Sequence, residues 1–397
     1  MIEGMDAVLA APVSEQIMRR LLPFLLAALT APAAFAAPLV TQAVVSHTYA
    51  PPPGVFAATA KAVSLVRTDA GVVGCWANAP QILCATLAPA GGFDTPVVLP
   101  SYTSGVAGSV PAVAWNGREL LVAFEEGENI ALVRLDRSLR VLAPPKPLEF
   151  RASAGSAPAL SWNRNEWLLT YRNYEAYIAA TGAAMYAESD PWPVVDSGLS
   201  GDEVVVIHSP GTRTVAGPPS CHYIMYGFGC CTICNPTTVQ EPEWHATSSV
   251  VGPVPLPLDR YTDARSAALA QRGNGALLVW PQIEFATSAL LTASLDGNRL
   301  GATQRIGVTA NGVLPRIAAT PTNGLVVWEE AGDIRGVLVD ADGKADGDPF
   351  VIAATAPVEA HPSVIAMNEN EYVVAYEIEG KLATRFVILQ QSKRRSR

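Results

Sequence analysis

The sequence predicts an all-β fold, a seven-bladed β-propeller of four-stranded antiparallel blades closed by an N-terminal strand. Three observations predict it. Four short apolar runs alternate with turn signals in one stretch, that stretch recurs every 40–50 residues or so, and an N-terminal segment resembles a missing fourth strand. An open β-sandwich of repeated hairpins is the alternative fold.

Residues 111–150 contain the repeating unit in its plainest form. Asn116-Gly117 follows the first run, and this pair supplies the positive φ angles of a two-residue hairpin. Because apolar runs joined by tight turns pair with their neighbours, the stretch is expected to form one antiparallel meander. Its four runs lie at 112–115, 119–124, 130–135 and near 147–150.

An aromatic residue closes the second strand of each unit and sets the period. The steps between its positions are 48, 47, 109, 48 and 48 residues, and Tyr226 divides the long step into 55 and 54. Seven units result, which start near residues 62, 111, 158, 202, 264, 315 and 362. Because blades stack face to face, the repeated aromatics are expected to be buried between blades. They are Trp76, Phe124, Tyr171, Trp280, Trp328 and Tyr376.

The last unit lacks a fourth strand, and the N-terminus is expected to supply it. After three strands this unit runs into residues 390–397, whose sequence QQSKRRSR is too polar for an outer strand. Residues 41–46 (TQAVVS) resemble residues 303–308 (TQRIGV), the fourth strand of the fifth unit. An N-terminal strand would therefore complete the last blade and cover an edge that otherwise recruits partners.

The N-terminus also predicts an export signal. Arg19-Arg20 precede the apolar run 21–31, and Ala-Phe-Ala at 34–36 gives the pattern for cleavage before Ala37. The apolar run is too short to span a bilayer. Acidic residues before it suit a signal poorly, so Met18 is an alternative start. The expected organisation is a signal peptide at 1–36, a single propeller domain at 37–389 and a disordered basic tail at 390–397.

Charge argues against nucleic acid as a partner. The net charge is −9, and cleavage after residue 36 removes two of 27 basic and three of 36 acidic residues, which leaves −8. Nucleic-acid binding needs basic patches instead. The expected protein is an exported, periplasmic or extracellular monomer without a membrane span, and its partner is an unidentified protein or glycan.

Six cysteines in an exported chain indicate disulfides first. Cys75 and Cys84 are symmetric about Ala79-Pro80, so they would face each other across two strands of the first blade. The other four cysteines allow three pairings, which the sequence leaves open, although Cys221 and Cys234 are symmetric about Gly227-Phe228. Zinc bound by cysteines and by His208, His222 and His245, or redox chemistry at Cys231-x-x-Cys234, are the alternatives. No metal or cofactor is expected. The four cysteines with open pairing are Cys221, Cys230, Cys231 and Cys234.

The second-strand segments give the chain a family resemblance. They read LVAFE at 121–125, LLVW at 277–280, LVVWE at 325–329 and YVVAYE at 372–377. In this respect the chain resembles the secreted bacterial β-propeller repeat proteins, whose second strand reads L-V-V-W followed by Glu or Asp. The resemblance implies the fold and export, and it implies no reaction. The fourth unit departs from the pattern.

The turns after the second strands are the predicted binding face. In a propeller these turns and the blade-to-blade connections share one face, where loops on a rigid scaffold carry function. An acidic face could bind a cation, a basic peptide or a sugar, and the alternative is that its charges only solvate the turns. The candidate residues are Glu125, Glu126, Arg172, Glu284, Glu329, Glu330 and Glu377, with the aromatics Tyr226, Phe228 and Trp244 of the fourth unit.

The preferred function is a non-catalytic scaffold that binds a protein or carbohydrate. The alternative is a carbohydrate-active enzyme that uses a pair of carboxylates around the central channel. The sialidase pattern S-x-D-x-G-x-T-W is absent from the sequence. The long fourth unit is expected to carry the function, because a long insertion on a rigid scaffold is usually functional or disordered.

Overall fold

The computed structural model describes 15 segments of the chain, with strand backbone alone for 184–256. The predicted signal peptide, Arg172, Phe228 and the tail after residue 390 lie outside the described residues. Most of the described chain belongs to one compact unit, Pro38–Gln390. No helix in the described segments has the length and apolar character needed to cross a bilayer. The segments are 37–48, 62–101, 110–127, 129–148, 158–171, 174–181, 184–189, 194–200, 203–226, 229–248, 254–256, 267–284, 286–296, 299–310 and 313–390.

All regular structure in these segments is β-strand, arranged in seven antiparallel sheets. Two N-terminal strands come first, β1 (Leu39–Val40) and β2 (Val44–Thr48). The first sheet contains β3 (Ser64–Thr68), β4 (Gly71–Asn78), β5 (Gln81–Thr86) and β6 (Val97–Val98). The second contains β7 (Ala112–Trp115), β8 (Glu119–Glu126), β9 (Asn129–Asp136) and β10 (Lys146–Leu148). The third contains β11 (Ala159–Trp162), β12 (Glu166–Tyr171), β13 (Tyr174–Ala179) and β14 (Ala184–Ser189).

The remaining four sheets follow in chain order. The fourth contains β15 (Val194–Ser200), β16 (Glu203–Tyr226), β17 (Gly229–Ser248) and β18 (Val254–Leu256). The fifth contains β19 (Ala268–Arg272), β20 (Gly275–Glu284), β21 (Thr287–Asp296), β22 (Arg299–Leu300) and β23 (Gln304–Ala310). The sixth contains β24 (Arg316–Ala319), β25 (Asn323–Glu330), β26 (Asp333–Asp340) and β27 (Phe350–Ala353). The seventh contains β28 (Glu359–Asn368), β29 (Glu371–Ile378) and β30 (Lys381–Ile388).

The first strand of every sheet lies at the edge of its sheet. These seven strands contact one another in chain order, from β3 to β28, and β28 contacts β3 again. The apolar cores lie between neighbouring sheets. One core joins the first and second sheets, for example, and another joins the seventh sheet to the first. The fold is therefore a set of meanders stacked face to face around their first strands.

The repeated aromatic residue occupies the sixth position of its second strand and is buried. Trp76, Phe124, Tyr171, Trp280, Trp328 and Tyr376 are each at most 1% exposed. Burial also raises the pKa of the Tyr376 hydroxyl above its ordinary value. The structure confirms the packing role predicted for these six side chains.

The N-terminal strands pair with β30, the last strand of the seventh sheet. Leu39 lies opposite Ile388 and Val44 lies opposite Thr384. Between the two short strands, Thr41 donates its N–H to the Phe386 carbonyl (3.0 Å) and accepts the Phe386 N–H at Oγ1 (2.9 Å). The pairing thus involves residues 39–40 and 44–48, whereas the sequence predicted one strand at 41–46.

The fourth sheet corrects the predicted period. Its first strand begins at Val194 rather than near residue 202, and Tyr226 lies at the far end of the 24-residue strand β16, opposite Gly229. The sixth position of β16, where the other sheets have an aromatic residue, is His208. The predicted position was wrong because this position holds a histidine and a long insertion follows it, between His208 and its register partner His245.

Cys75 and Cys84 form the predicted disulfide. They are register partners in β4 and β5, and their sulfur atoms are 2.05 Å apart. The bond closes a loop with a sequence separation of 9 residues. We expect the double variant C75A/C84A to lose about 2–3 kcal/mol of unfolding free energy, because the cross-link restricts the unfolded chain. Urea unfolding of both proteins without reductant measures the loss, and equal midpoints and slopes would contradict it.

Candidate functional site

A cavity of about 780 Å³ opens where the first strands of six sheets end. Its volume lies within the range of roughly 300–1,000 Å³ that is typical of ligand sites. Two tryptophans of neighbouring sheets line it, together with charged and amide side chains. We call it the tryptophan cavity, and we define its rim as Arg67, Trp115, Trp162, Gln271, Asn368 and Glu369.

Six aliphatic side chains form the floor of this cavity, the apolar belt. Each belongs to the first strand of its sheet and occupies the same register position there. Its partner in the second strand lies two residues before the repeated aromatic residue. Ile317, for example, pairs with Val326, two places before Trp328. The same six residues also line a smaller cavity of about 230 Å³, so the belt lies between the two cavities. They are Leu65, Val113, Leu160, Leu269, Ile317 and Val364.

Local turn chemistry positions the rim. Trp115 ends β7, and the next residue, Asn116, accepts the backbone N–H groups of Arg118 (2.9 Å) and Glu119 (2.8 Å) at its side-chain oxygen. Such an Asx turn reverses the chain directly after the tryptophan. The hairpin is therefore centred one residue later than predicted, and in this turn Gly117 alone has a positive φ.

Packing against the cores holds both tryptophans. Trp162 is followed by the equivalent turn residue Asn163, which accepts the N–H of Glu166 (2.9 Å). Its ring lies 4.6 Å from the ring of the fully buried Trp167. Trp115 packs against the core between the first and second sheets. Both side chains are half-buried, so each retains accessible ring surface at the cavity.

The rim carries one positive and one negative side chain on sheets that contact each other. Arg67 lies in β3 of the first sheet, and Glu369 follows β28 of the seventh. Both are exposed, and neither forms an ion pair within the described part of the chain. Two opposite charges are thus available to a ligand at the cavity entrance.

The glutamates of the predicted binding face have partners within the protein. Glu125 is buried and accepts a hydrogen bond from the Tyr171 hydroxyl of the next sheet. Glu126 is also buried. Glu284 forms an ion pair with Arg305 (2.9 Å), and Glu330 forms one with Arg335 (3.1 Å). These contacts brace the strand ends where the sequence placed a binding surface.

His361 brings two of the predicted residues together. Its backbone N–H lies 3.4 Å from a carboxylate oxygen of Glu329, and its Nδ1 lies 3.3 Å from Glu377. Its carbonyl accepts the N–H of Ala62 (2.8 Å), so this residue connects the sixth, seventh and first sheets. The backbone φ of +55° at His361 is strained for a residue with a side chain, and the surrounding bonds hold it there.

The predicted binding residues whose side chains the structure describes do not line the tryptophan cavity, and Glu369 is the one carboxylate among the described lining residues. Among the described residues no group of three or more His, Cys, Asp or Glu side chains could hold a metal ion. The residues of this cavity were not among the predicted binding residues. The available signal was a tryptophan before asparagine at the end of the first strand in two consecutive units, Trp115-Asn116 and Trp162-Asn163.

The fourth sheet extends into a long two-stranded ribbon. β15 pairs with β16 between residues 203 and 208, and β18 pairs with β17 at 244–246, so within the described segments residues 211–243 have ladder partners only in the opposite ribbon strand. Cys221 is the register partner of Cys234, whereas Cys230 and Cys231 lie opposite Met225 and Ile224. Tyr226 and Trp244 belong to this ribbon.

Cys231 and Cys234 lie three residues apart in β17, and His222 of β16 is the register partner of Ile233. The zinc and redox alternatives for these cysteines stay predictions.

Comparison with known proteins establishes the fold. Neither a protein-family model nor a curated protein matches the chain. Among solved structures, the WD40 domain of Neurospora crassa Pan2 is similar, with a TM-score of 0.54, 10% identity and coverage of 89% of this chain and 96% of that chain. The WD40 domain of Toxoplasma gondii coronin has a TM-score of 0.52 and 9% identity over 91% and 90%.

A third similar structure is an enzyme. The polysaccharide lyase Uly1 has a TM-score of 0.50 and 8% identity, and the match covers 87% of this chain and 92% of that chain. All three likenesses are below the identity at which function carries over, and folds of this class host unrelated functions. The chain is an all-β protein of propeller type.

Proposed function

We propose that this chain is a non-catalytic binding protein and that its ligand, a protein or a glycan, occupies the tryptophan cavity. One observation carries the proposal. Two half-buried tryptophans from neighbouring sheets frame a cavity of ligand size, and its described lining includes a single carboxylate. Aromatic side chains supply contact area at little entropic cost, and a few polar groups at the rim orient what binds.

The described lining favours binding over hydrolysis. Glycoside hydrolysis of the usual kind needs two carboxyl groups at a fixed separation, one as acid and one as base or nucleophile. Glu369 is the one carboxylate among the described lining residues, and the glutamates at the opposite ends of the strands are engaged by tyrosine, histidine and arginine side chains. The described lining therefore contains no second carboxyl group for the enzyme alternative.

We propose the architecture as a closed seven-bladed propeller. The contacts of the first strands in chain order, from β3 round to β28 and back, support it. The pairing of β1 and β2 with β30 supports closure by the N-terminal segment. Such a ring would hold the cavity lining, which comes from six sheets, in a fixed arrangement before the ligand arrives.

We also propose that the protein is exported, as in the secreted propeller proteins that its second strands resemble. The disulfide Cys75–Cys84 is compatible with an oxidising compartment. The predicted signal peptide at 1–36 would direct this export. Edman sequencing of the protein secreted by a bacterial host tests it, with Ala37 as the expected first residue.

The ribbon is the competing binding element. Its length and its two edges without a ladder partner give it room for a protein partner. In an oxidised protein we propose a disulfide between the register partners Cys221 and Cys234, by analogy with Cys75 and Cys84. If the ribbon carries binding, removing it abolishes binding, and the tryptophans of the cavity are dispensable.

The test compares two variants against a panel of oligosaccharides and short peptides. We expect W115A/W162A to weaken binding of the panel's best ligand about tenfold to a hundredfold, the usual effect of losing central aromatic contacts. A variant with residues 211–243 replaced by a short turn is expected to bind normally. E284Q, at the opposite ends of the strands, is the matched control. The reverse pattern would transfer the function to the ribbon.

A further inference from the structure

We propose that the tryptophan cavity binds a short apolar peptide whose charged termini meet Arg67 and Glu369. This inference rests on the proposed binding function and names the class of ligand. Three features of the cavity carry it: the chemistry of its floor, the backbone groups of its walls and the charges at its rim.

The floor suits apolar side chains and disfavours sugars. The six residues of the apolar belt are aliphatic, and the next layer outward is Val66, Ala114, Ser161, Ala270, Ala318 and Ile365. Ser161 supplies the one polar side chain in these two described layers, and it is 8% exposed. A buried hydroxyl without a hydrogen bond is costly, and the aliphatic side chains of the belt offer a sugar hydroxyl no partner. An apolar side chain gains free energy by filling the floor.

The walls offer backbone hydrogen bonds. The six lining strands are the edge strands of their sheets in the described part of the chain. An edge strand presents unpaired N–H and C=O groups. A peptide combines apolar side chains with amide donors and acceptors, so it can satisfy these groups while its side chains cover the belt.

The rim matches the charges of a peptide. Arg67 and Glu369 are exposed on contacting sheets and have no ion-pair partner within the described part of the chain. A guanidinium is the usual partner of a carboxylate, and a carboxylate attracts an ammonium group. A short peptide carries both groups, one at each end, whereas a neutral oligosaccharide carries neither. The flanking rings of Trp115 and Trp162 can cover its apolar middle part.

The experiment is isothermal titration calorimetry with the tripeptide Leu-Phe-Leu in four forms: free, N-acetylated, C-amidated and blocked at both ends. We expect the free tripeptide to bind threefold or more tighter than either singly blocked form. In R67Q, amidation is expected to have no further effect, and in E369Q, acetylation is expected to have none. Both positions are exposed, so neither substitution threatens folding. R118Q, an exposed arginine that does not line the cavity, should behave like the parent protein.

The outcomes separate this inference from the proposed function. If all four tripeptide forms bind equally and W115A/W162A abolishes their binding, the cavity is a ligand site but the pairing of termini with Arg67 and Glu369 is wrong. Binding of cellotriose or chitotriose in place of the tripeptides would overturn the peptide class and leave the binding function standing. If no peptide or sugar binding depends on the two tryptophans, both proposals fail.

Discussion

Replacing Trp328 with alanine is expected to lower the free energy of unfolding by about 3–5 kcal/mol, the usual cost of removing a large buried side chain. The indole is 1% exposed and lies in the core between the fifth and sixth sheets. Truncation leaves a cavity that the paired strands on both sides cannot fill without breaking their ladders. Guanidinium unfolding followed by circular dichroism measures the change.

Two control variants test whether the loss of stability comes from the buried ring. W328F retains most of the buried ring surface and should recover most of the lost stability. V358A removes two methyl groups from a side chain that is 68% exposed, so it should change stability by less than about 0.5 kcal/mol. A W328A protein as stable as the parent would contradict the packing role of the repeated aromatic residues.

Deleting residues 37–48 after the signal is expected to make the protein unstable and prone to aggregation. The deletion removes both strands that pair with β30 and the hydrogen bonds of Thr41, including the one its carbonyl accepts from Arg385 (2.7 Å). The edge of β30 would then expose unpaired backbone groups that recruit other chains. Light scattering after size-exclusion chromatography, with thermal unfolding, measures both effects.

The control deletion removes residues 391–397 and should leave a stable monomer. A cysteine pair tests the register directly: L39C/I388C should form a disulfide, because the two residues are partners, whereas L39C/K381C should not, because Lys381 pairs with Thr48 at the other end. A monomeric and equally stable deletion variant would show that the N-terminal strands do not close the fold.

Much of the fold could be predicted because each unit repeats its own local signals. The apolar runs, the turn residues and the aromatic at the sixth position of the second strand are all readable within about 48 residues. The fourth sheet was placed wrongly because that position holds His208, and Tyr226, the aromatic used in its place, lies at the far end of the same strand.

The site was harder to predict because its parts are distant in sequence. The tryptophan cavity combines residues from Leu65 to Glu369, contributed by six described sheets, and its shape depends on how those sheets are arranged. The sequence did place the glutamates at strand ends, but it could not show their partners. Glu125 accepts a bond from Tyr171, a residue of the next unit, so only the packing of sheets reveals its bracing role.

The most direct test of the account is to locate a bound ligand by crystallography. Crystals would be soaked with a library of short peptides and oligosaccharides, and the difference density would be examined at every site. The account predicts a ligand between Trp115 and Trp162, with its apolar part against the belt at Ile317 and Leu65. Ligand density at Glu329 and Glu377 or on the ribbon, with the tryptophan cavity empty, would contradict it.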